Sequence, residues 1–232
     1  MTRHVGCASI WPVTIRFIIV ALPLALLLAA GAMVWDRLPG DLPLARAIQE
    51  VDAAPWESTM EFVSYIGMWA PMMGFTGHLL GLFLLRRQWA EVAVTGGALL
   101  SFGVNPLLKI IVDRPRPTDD LIAVLQSHDG LSFPSGHAFT AVVIMGLLFY
   151  LAPRLLSWRW AVTVVRAASL VMILLTGLSR VYLGAHWPSD VLGGLLFGGI
   201  TLALLIHLHR FQSRSKVREA RQRPQQGYSQ TD

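Results

Sequence analysis

Three short segments of this chain carry side chains that apolar packing cannot explain. Lys109 is followed after six residues by Arg116-Pro117; Pro134-Ser135-Gly136-His137 stand together; Ser179-Arg180 is followed after five residues by His186, and after three more by Asp190. Three cations beside the free N–H groups of a helix start would bind a multiply charged anion, and phosphate fits that set best. Arg116 and Arg180 can make forked contacts to phosphoryl oxygens, whereas Lys109 supplies a compact charge. Ser135 and Gly136 add a hydroxyl and closely approaching N–H groups. Such donors would stabilise the charge that spreads over equatorial oxygens in phosphoryl transfer. Two histidines suit two roles, one neutral to attack phosphorus and one protonated to serve the leaving oxygen. Asp190 could bond the second ring nitrogen of His186 and fix its tautomer, so His186 is the better nucleophile and His137 is left as general acid.

Each piece alone has an ordinary reading. A cation closing a span is usually an anchor at the headgroups, Pro-Ser-Gly before an apolar run is usually a turn and cap, and His186 with Asp190 could be an interfacial polar pair. The chemical reading depends on all three segments meeting at one membrane face, and therefore on the elements that carry them.

Those elements are membrane spans. Of the 232 residues 54% are hydrophobic and 14% charged, with a mean hydropathy of +0.54; soluble domains carry about 25% charged residues. This composition excludes a soluble globular domain, a disordered chain and a disulfide scaffold. Six apolar runs are long enough to cross a bilayer as helices: 17–35, 62–85, 92–112, 137–153, 161–178 and 191–208. Continuous rather than alternating hydrophobicity favours helices over a barrel. The expected fold is therefore all-α, a polytopic membrane bundle of about six helices. Residues 1–209 would form the membrane domain and residues 210–232 a basic, flexible tail. Gly194 and Gly198 stand at the spacing that permits close helix contact. Leu44, Ile48 and Val51 suggest a short interfacial helix between the first two spans. Ala30-Gly31-Ala32 resembles a cleavage site after a signal peptide, but an uncleaved anchor of this length spans equally well.

With six spans, one side holds thirteen of the nineteen basic residues, including Arg3, Arg86, Arg87, Arg154, Arg166 and the tail up to Arg223. The positive-inside bias then puts both termini in the cytoplasm and turns 109–136 and 179–190 outward. The net charge of +5 is better explained by a membrane surface than by nucleic acid. The single Cys7 forms no internal disulfide. Arg166 would snorkel, His78 would be a packed polar residue, His207 and His209 would cap the last span, and Trp187 would be an interface anchor or a wall for substrate. Asp113 and Arg114 lie near the site, with substrate contact as one of their possible roles.

The three segments resemble the signature motifs of the type 2 phosphatidic acid phosphatase (PAP2) superfamily, which includes bacterial lipid phosphatases and undecaprenyl pyrophosphate phosphatases. All eleven fixed positions are present: Lys109, Arg116, Pro117, Pro134, Ser135, Gly136, His137, Ser179, Arg180, His186 and Asp190. The resemblance implies a helical PAP2 or haloperoxidase-like core and a phosphohistidine at His186. It further implies proton donation by His137, phosphate contacts from Lys109, Arg116, Ser135, Gly136 and Arg180, and catalysis without metal or other cofactor. The expected substrate is a lipid phosphate or pyrophosphate at the outer leaflet. A lipid-to-lipid phosphotransferase would use the same residues, while a transporter that merely binds an anion would not need His186 with Asp190. Related vanadium-dependent haloperoxidases share the pocket but are soluble.

Overall fold

The computed structural model describes residues 13–51, 54–127 and 129–222, and among them there is no strand. Arg3, Cys7, Arg223 and the end of the tail lie outside the described residues. Nine α-helices follow one another among the described residues: α1 Val13–Val34, α2 Asp41–Gln49, α3 Ala54–Ile66, α4 Trp69–Leu85, α5 Trp89–Leu100, α6 Val104–Val112, α7 Gly136–Leu155, α8 Arg159–Tyr182 and α9 Pro188–Gln222. Among the described residues five helical segments are long and apolar enough to cross a membrane, or six if α3 and α4 form one broken span. The protein is thus an all-helical, multi-pass membrane protein. Large apolar side chains such as Val20, Leu27, Leu170 and Leu174 point outward from α1 and α8, as lipid-facing residues do.

The second expected span is not one helix. Its halves meet at 49°, and the break falls at Gly67, before Pro71 rather than at it. A Cβ on Gly67 would lie 2.7 Å from the Thr176 side chain, so the missing side chain lets the break rest on α8. Pro71 sits in the first turn of α4, where a missing N–H costs no helical bond. The third span is interrupted similarly, by a 3₁₀ turn at Ser101–Gly103 with Pro106 in the first turn of α6.

α7 lies at the centre, packed on α8 and α9, with α1 covering α9 and α4 beside α5. Its close contact with α9 depends on the expected glycines: a Cβ on Gly194 would stand 2.5 Å from the Ser135 carbonyl, and one on Gly198 would stand 2.8 Å from that of Phe139. Neither carbonyl can swing aside as a side-chain tip could. Phe139, Val143, Ile144, Leu147 and Leu151 of α7 fill the core with Met72, Phe83, Val94 and Ala98.

At the end opposite the motifs, two expectations change. α9 continues to Gln222 where a flexible segment is expected from Arg210, because the sequence there is rich in helix-forming Arg, Lys, Glu, Ala and Gln and meets no proline until Pro224. His209 therefore caps nothing. It is buried, 2.9 Å from the Tyr150 hydroxyl on α7 and 3.6 Å from Glu91 on α5. His207 lies 3.4 Å from the Thr14 hydroxyl. Arg166 is held by the Phe149 carbonyl at 3.2 Å and lies over the Phe149 ring, and His78 bonds the Gly74 carbonyl of its own helix at 2.7 Å.

Candidate active site

The three motifs come from the end of α6 with the loop after it, from the start of α7, and from the α8–α9 turn. α6 ends at Asp113, whose left-handed φ of 53° turns the chain away so that Arg114 and Arg116 leave the helix axis. Lys109, one turn earlier, donates to the carbonyls of Leu131 and of Ser132, the latter at 3.1 Å. The lysine thus ties α6 to the loop that leads into α7. Asn105 supports the same loop through the Pro134 carbonyl at 3.3 Å.

Ser135 occupies the N-cap of α7, with extended backbone, yet its side chain makes no capping bond. Its hydroxyl oxygen is buried and has no hydrogen-bond partner among the described residues. The ordinary cap reading of Pro-Ser-Gly therefore does not hold, and the hydroxyl is left for something else. The first-turn N–H groups of α7 are likewise ones that a helix cannot satisfy for itself. His137 is half-buried and lines a cavity of about 300 Å³ together with Trp69, Met73, Phe102, Asn105 and Thr140.

The α8–α9 turn is tight because Gly184 adopts φ 68°; a Cβ there would lie 2.2 Å from the Ala123 carbonyl. Arg180, at the end of α8, is buried and donates to the Ser64 hydroxyl of α3 and, at 2.7 Å, to the Gln126 side-chain oxygen. Its backbone carbonyl accepts from the N–H groups of Ala185 and His186, so the arginine and the histidine are fixed to one another. Arg116 reaches in from the other side. It donates to the carbonyls of Gly130 and Ala185 at 3.1 and 2.7 Å, and its Nη1 lies 3.3 Å from His186 Nε2. Burial pulls the Arg116 guanidinium below the ordinary arginine range, with Asp190 and Asp129 pulling the other way. Arginine nevertheless stays a cation in proteins.

The expected direct bond between His186 and Asp190 is not made. Nδ1 stands 3.7 Å from Asp190 Oδ2, beyond hydrogen-bond range. The carboxylate is saturated by other donors: Arg114 at 2.6 Å, the Ser132 hydroxyl at 2.5 Å and the Trp187 N–H at 2.8 Å. The Ser132 oxygen is in turn 3.3 Å from His186 Nδ1. Arg114 is thus a structural residue rather than a substrate contact. It is almost wholly buried, bonds Asp190, Ser189 and Asp41 together, and reaches the Asp36 carbonyl at 3.1 Å. Asp41, at the start of α2, also accepts from the Ser189 N–H at 2.9 Å and its hydroxyl at 2.7 Å. Trp187 is buried in a cluster with Ala45, Ile122, Ala138, Val181 and Val191, which removes it from both roles expected of it.

Contacts therefore join Lys109, Arg116, Arg180, His186 and Asp190, and Ser135 enters through its N–H, 2.9 Å from the Asp190 carbonyl. Sequence reasoning passed over Ser132, Asp41, Ser64 and Gln126, and left substrate contact open for Arg114, whose bonds go instead to Asp41, Ser189 and Asp190. The other four are residue types common on any surface.

Comparison with known proteins gives the family and the fold. The family model described as the PAP2 superfamily matches residues 90–214. Phosphatidylglycerophosphatase B of Bacillus subtilis is 31% identical over 156 residues, 62% of this chain and 71% of that protein. Decaprenylphosphoryl-5-phosphoribose phosphatase of Mycobacterium tuberculosis is 33% identical over 142 residues, 60% of this chain and 73% of that one. Among solved structures, a transmembrane PAP2 type phosphatidylglycerolphosphate phosphatase from Bacillus subtilis superposes with a TM-score of 0.67 at 25% identity, covering 87% of this chain and 96% of that one.

Proposed function

Because the chain belongs to the PAP2 superfamily and is a phosphatase of that type, we propose that it hydrolyses the terminal phosphate of a lipid phosphate or pyrophosphate through a phosphohistidine at His186, without metal, at the outer face of the cytoplasmic membrane. The observation that carries the mechanism is the different company of the two ring nitrogens of His186: Nε2 faces the Arg116 guanidinium, and Nδ1 faces Ser132 and Asp190. A nitrogen beside a fixed cation is well placed to attack a phosphoryl group that the same cation binds.

Lys109, Arg116, Arg180 and the Ser135 hydroxyl, with the Gly136 N–H, hold the three non-bridging oxygens. The Nε2 lone pair attacks phosphorus and the bond to the bridging oxygen breaks. The electron pair leaves on that oxygen, which takes the proton of His137. Water then attacks the phosphohistidine, His137 accepts its proton, and the P–N electrons return to Nε2 as inorganic phosphate departs. A lipid leaving group is supported by the cavity beside His137, whose Trp69, Met73 and Phe102 walls suit an apolar chain better than a soluble alcohol.

The test is phosphate release by the purified protein in detergent with EDTA, from phosphatidylglycerol phosphate, undecaprenyl pyrophosphate, phosphatidic acid and lipid A phosphate in parallel. At least one is expected to release phosphate at a rate that EDTA leaves nearly unchanged. Strict dependence on added Mg²⁺ would refute the metal-free route. Labelled enzyme whose phosphate passes to a second lipid but not to water would make the protein a phosphotransferase. Neither release nor labelling would leave an anion-binding transporter. Orientation is tested separately: a reporter fused after Asp232 should be active in the cytoplasm, and activity only outside would turn the site inward.

A further inference from the structure

We propose that Ser132, which lies outside the recognised motifs, is a positioning residue through which Asp190 sets the tautomer and charge of His186. The inference rests on the reading of His186 as nucleophile and follows from donor counting. Arg116 can only donate, so Nε2, 3.3 Å from its Nη1, is the accepting nitrogen of a neutral ring. The ring proton then sits on Nδ1. Nδ1 faces the Ser132 oxygen at 3.3 Å, whereas Asp190 stands 3.7 Å away. The Ser132 hydroxyl proton has one sure acceptor, Asp190 Oδ2 at 2.5 Å, because an ionised carboxylate only accepts. The chain therefore runs one way, from Nδ1–H to Ser132 Oγ and from Oγ–H to Asp190.

The rest of Ser132 is built for this task. It is fully buried, its N–H donates to the Arg114 carbonyl at 2.8 Å, and its own carbonyl accepts from Lys109 at 3.1 Å. Both ends of the residue are thus pinned by cationic residues of the first motif region, which leaves its hydroxyl little freedom to point elsewhere. When Nε2 forms the bond to phosphorus, the ring becomes a cation whose remaining N–H is Nδ1. Ser132 passes the stabilisation of that charge to Asp190 without any proton leaving the chain. The same chain stabilises the protonated ring of the free enzyme. Charged groups reach His186 from several elements. Arg116 on the loop after α6 stands 3.3 Å from Nε2, Asp190 on α9 stands 3.7 Å from Nδ1, Arg180 on α8 takes the His186 N–H on its backbone carbonyl, and Lys109 on α6 bonds the Ser132 carbonyl. Arg114 and, behind it, Asp41 on α2 lie beyond Asp190, and Asp129 acts on Arg116. Asp190, Asp41 and Asp129 favour the charged ring by their sign, and of these Asp190 is the one bonded to Ser132.

The experiment compares full-length Ser132→Ala and Ser132→Cys with the wild type, using whichever lipid phosphate the parent protein hydrolyses. Phosphate release is measured across pH, and an acid-quenched labelled substrate reports the phosphoenzyme. Cysteine keeps the volume and offers only a weak donor, so it serves if the alanine variant does not fold. Either variant is expected to lose kcat by roughly 10- to 100-fold, the scale of one hydrogen bond to a charged group, with KM within about twofold. The acidic limb of kcat/KM should move to lower pH, since a ring deprived of its link to Asp190 gives up its proton more readily. Wild-type rates in a folded variant would overturn the proposal. So would a lost rate with the acidic limb unmoved, because that is the signature of disturbed packing. A wild-type enzyme that carries no label at His186 would instead remove the nucleophile assignment beneath it.

Discussion

His186→Ala is expected to abolish turnover, with a fall of roughly 10⁴-fold or more, the scale seen when a covalent nucleophile is removed. The size follows from how the site divides its labour. In the proposed reaction Lys109, Arg116, Arg180 and Ser135 bind charge and orient it, while His186 sets a ring nitrogen 3.3 Å from the cation that would hold phosphorus. Alanine deletes the attacking atom and leaves the anchors where they are, because Arg116 is also held by the carbonyls of Gly130 and Ala185, and Arg180 by Ser64 and Gln126. Phosphate release and acid-quenched labelling should both vanish while the lipid still binds. Turnover near the wild-type rate in the purified variant would end the assignment, and loss of binding together with rate would make His186 an anchor instead.

Arg114→Leu should fail to give a stable protein, although Arg114 touches no substrate in the proposed reaction. Its guanidinium lies between Asp41 at 2.7 Å and Asp190 at 2.6 Å, with all three side chains almost inaccessible to solvent. Such a cluster contributes little net stability when complete, because desolvation offsets the attraction; removing one member strands the others, at a cost of about 3–5 kcal/mol. Here two carboxylates would be stranded. The single variant should melt well below the wild type or elute as aggregate. Arg114→Leu combined with Asp41→Asn should recover part of the loss by removing one buried charge. Arg114→Lys should be intermediate, since an ammonium cannot fork to both carboxylates and the Asp36 carbonyl at once. An Arg114→Leu protein melting at the wild-type temperature would show that the cluster is not what holds the site together.

Sequence reading reached the elements whose signal is carried by many residues. The long apolar runs located α1, α7, α8 and α9, and the spacing of Gly194 and Gly198 anticipated a close helix contact, whose partner the structure gives as α7. It failed at single backbone events. Nothing in the apolar run through Phe62 to Leu85 distinguishes a straight helix from one bent at Gly67, because the bend depends on Thr176, more than a hundred positions away. The candidate site divides in the same manner. Cations and histidines are rare in apolar surroundings and were conspicuous at once. Ser132, Ser64 and Gln126 have uncharged side chains whose value lies in what stands opposite them, and that is settled only by packing. Asp190 shows the limit most clearly: its residue type announced a partner for His186, while its geometry gives the bond to Ser132.

The family model begins at residue 90, but the site does not. Asp41 on α2 latches the Arg114 and Ser189 pair, and Ser64 on α3 latches Arg180. The recognisable half of the protein is therefore not a transplantable module. Fused behind the first helices of a relative that lacks an acid and a hydroxyl at these two places, it would bring every signature residue and still arrive with one arginine short of a counter-charge and another unlatched. The N-terminal helices are therefore tethered to the site at these two points, a constraint that no comparison confined to the motifs would reveal.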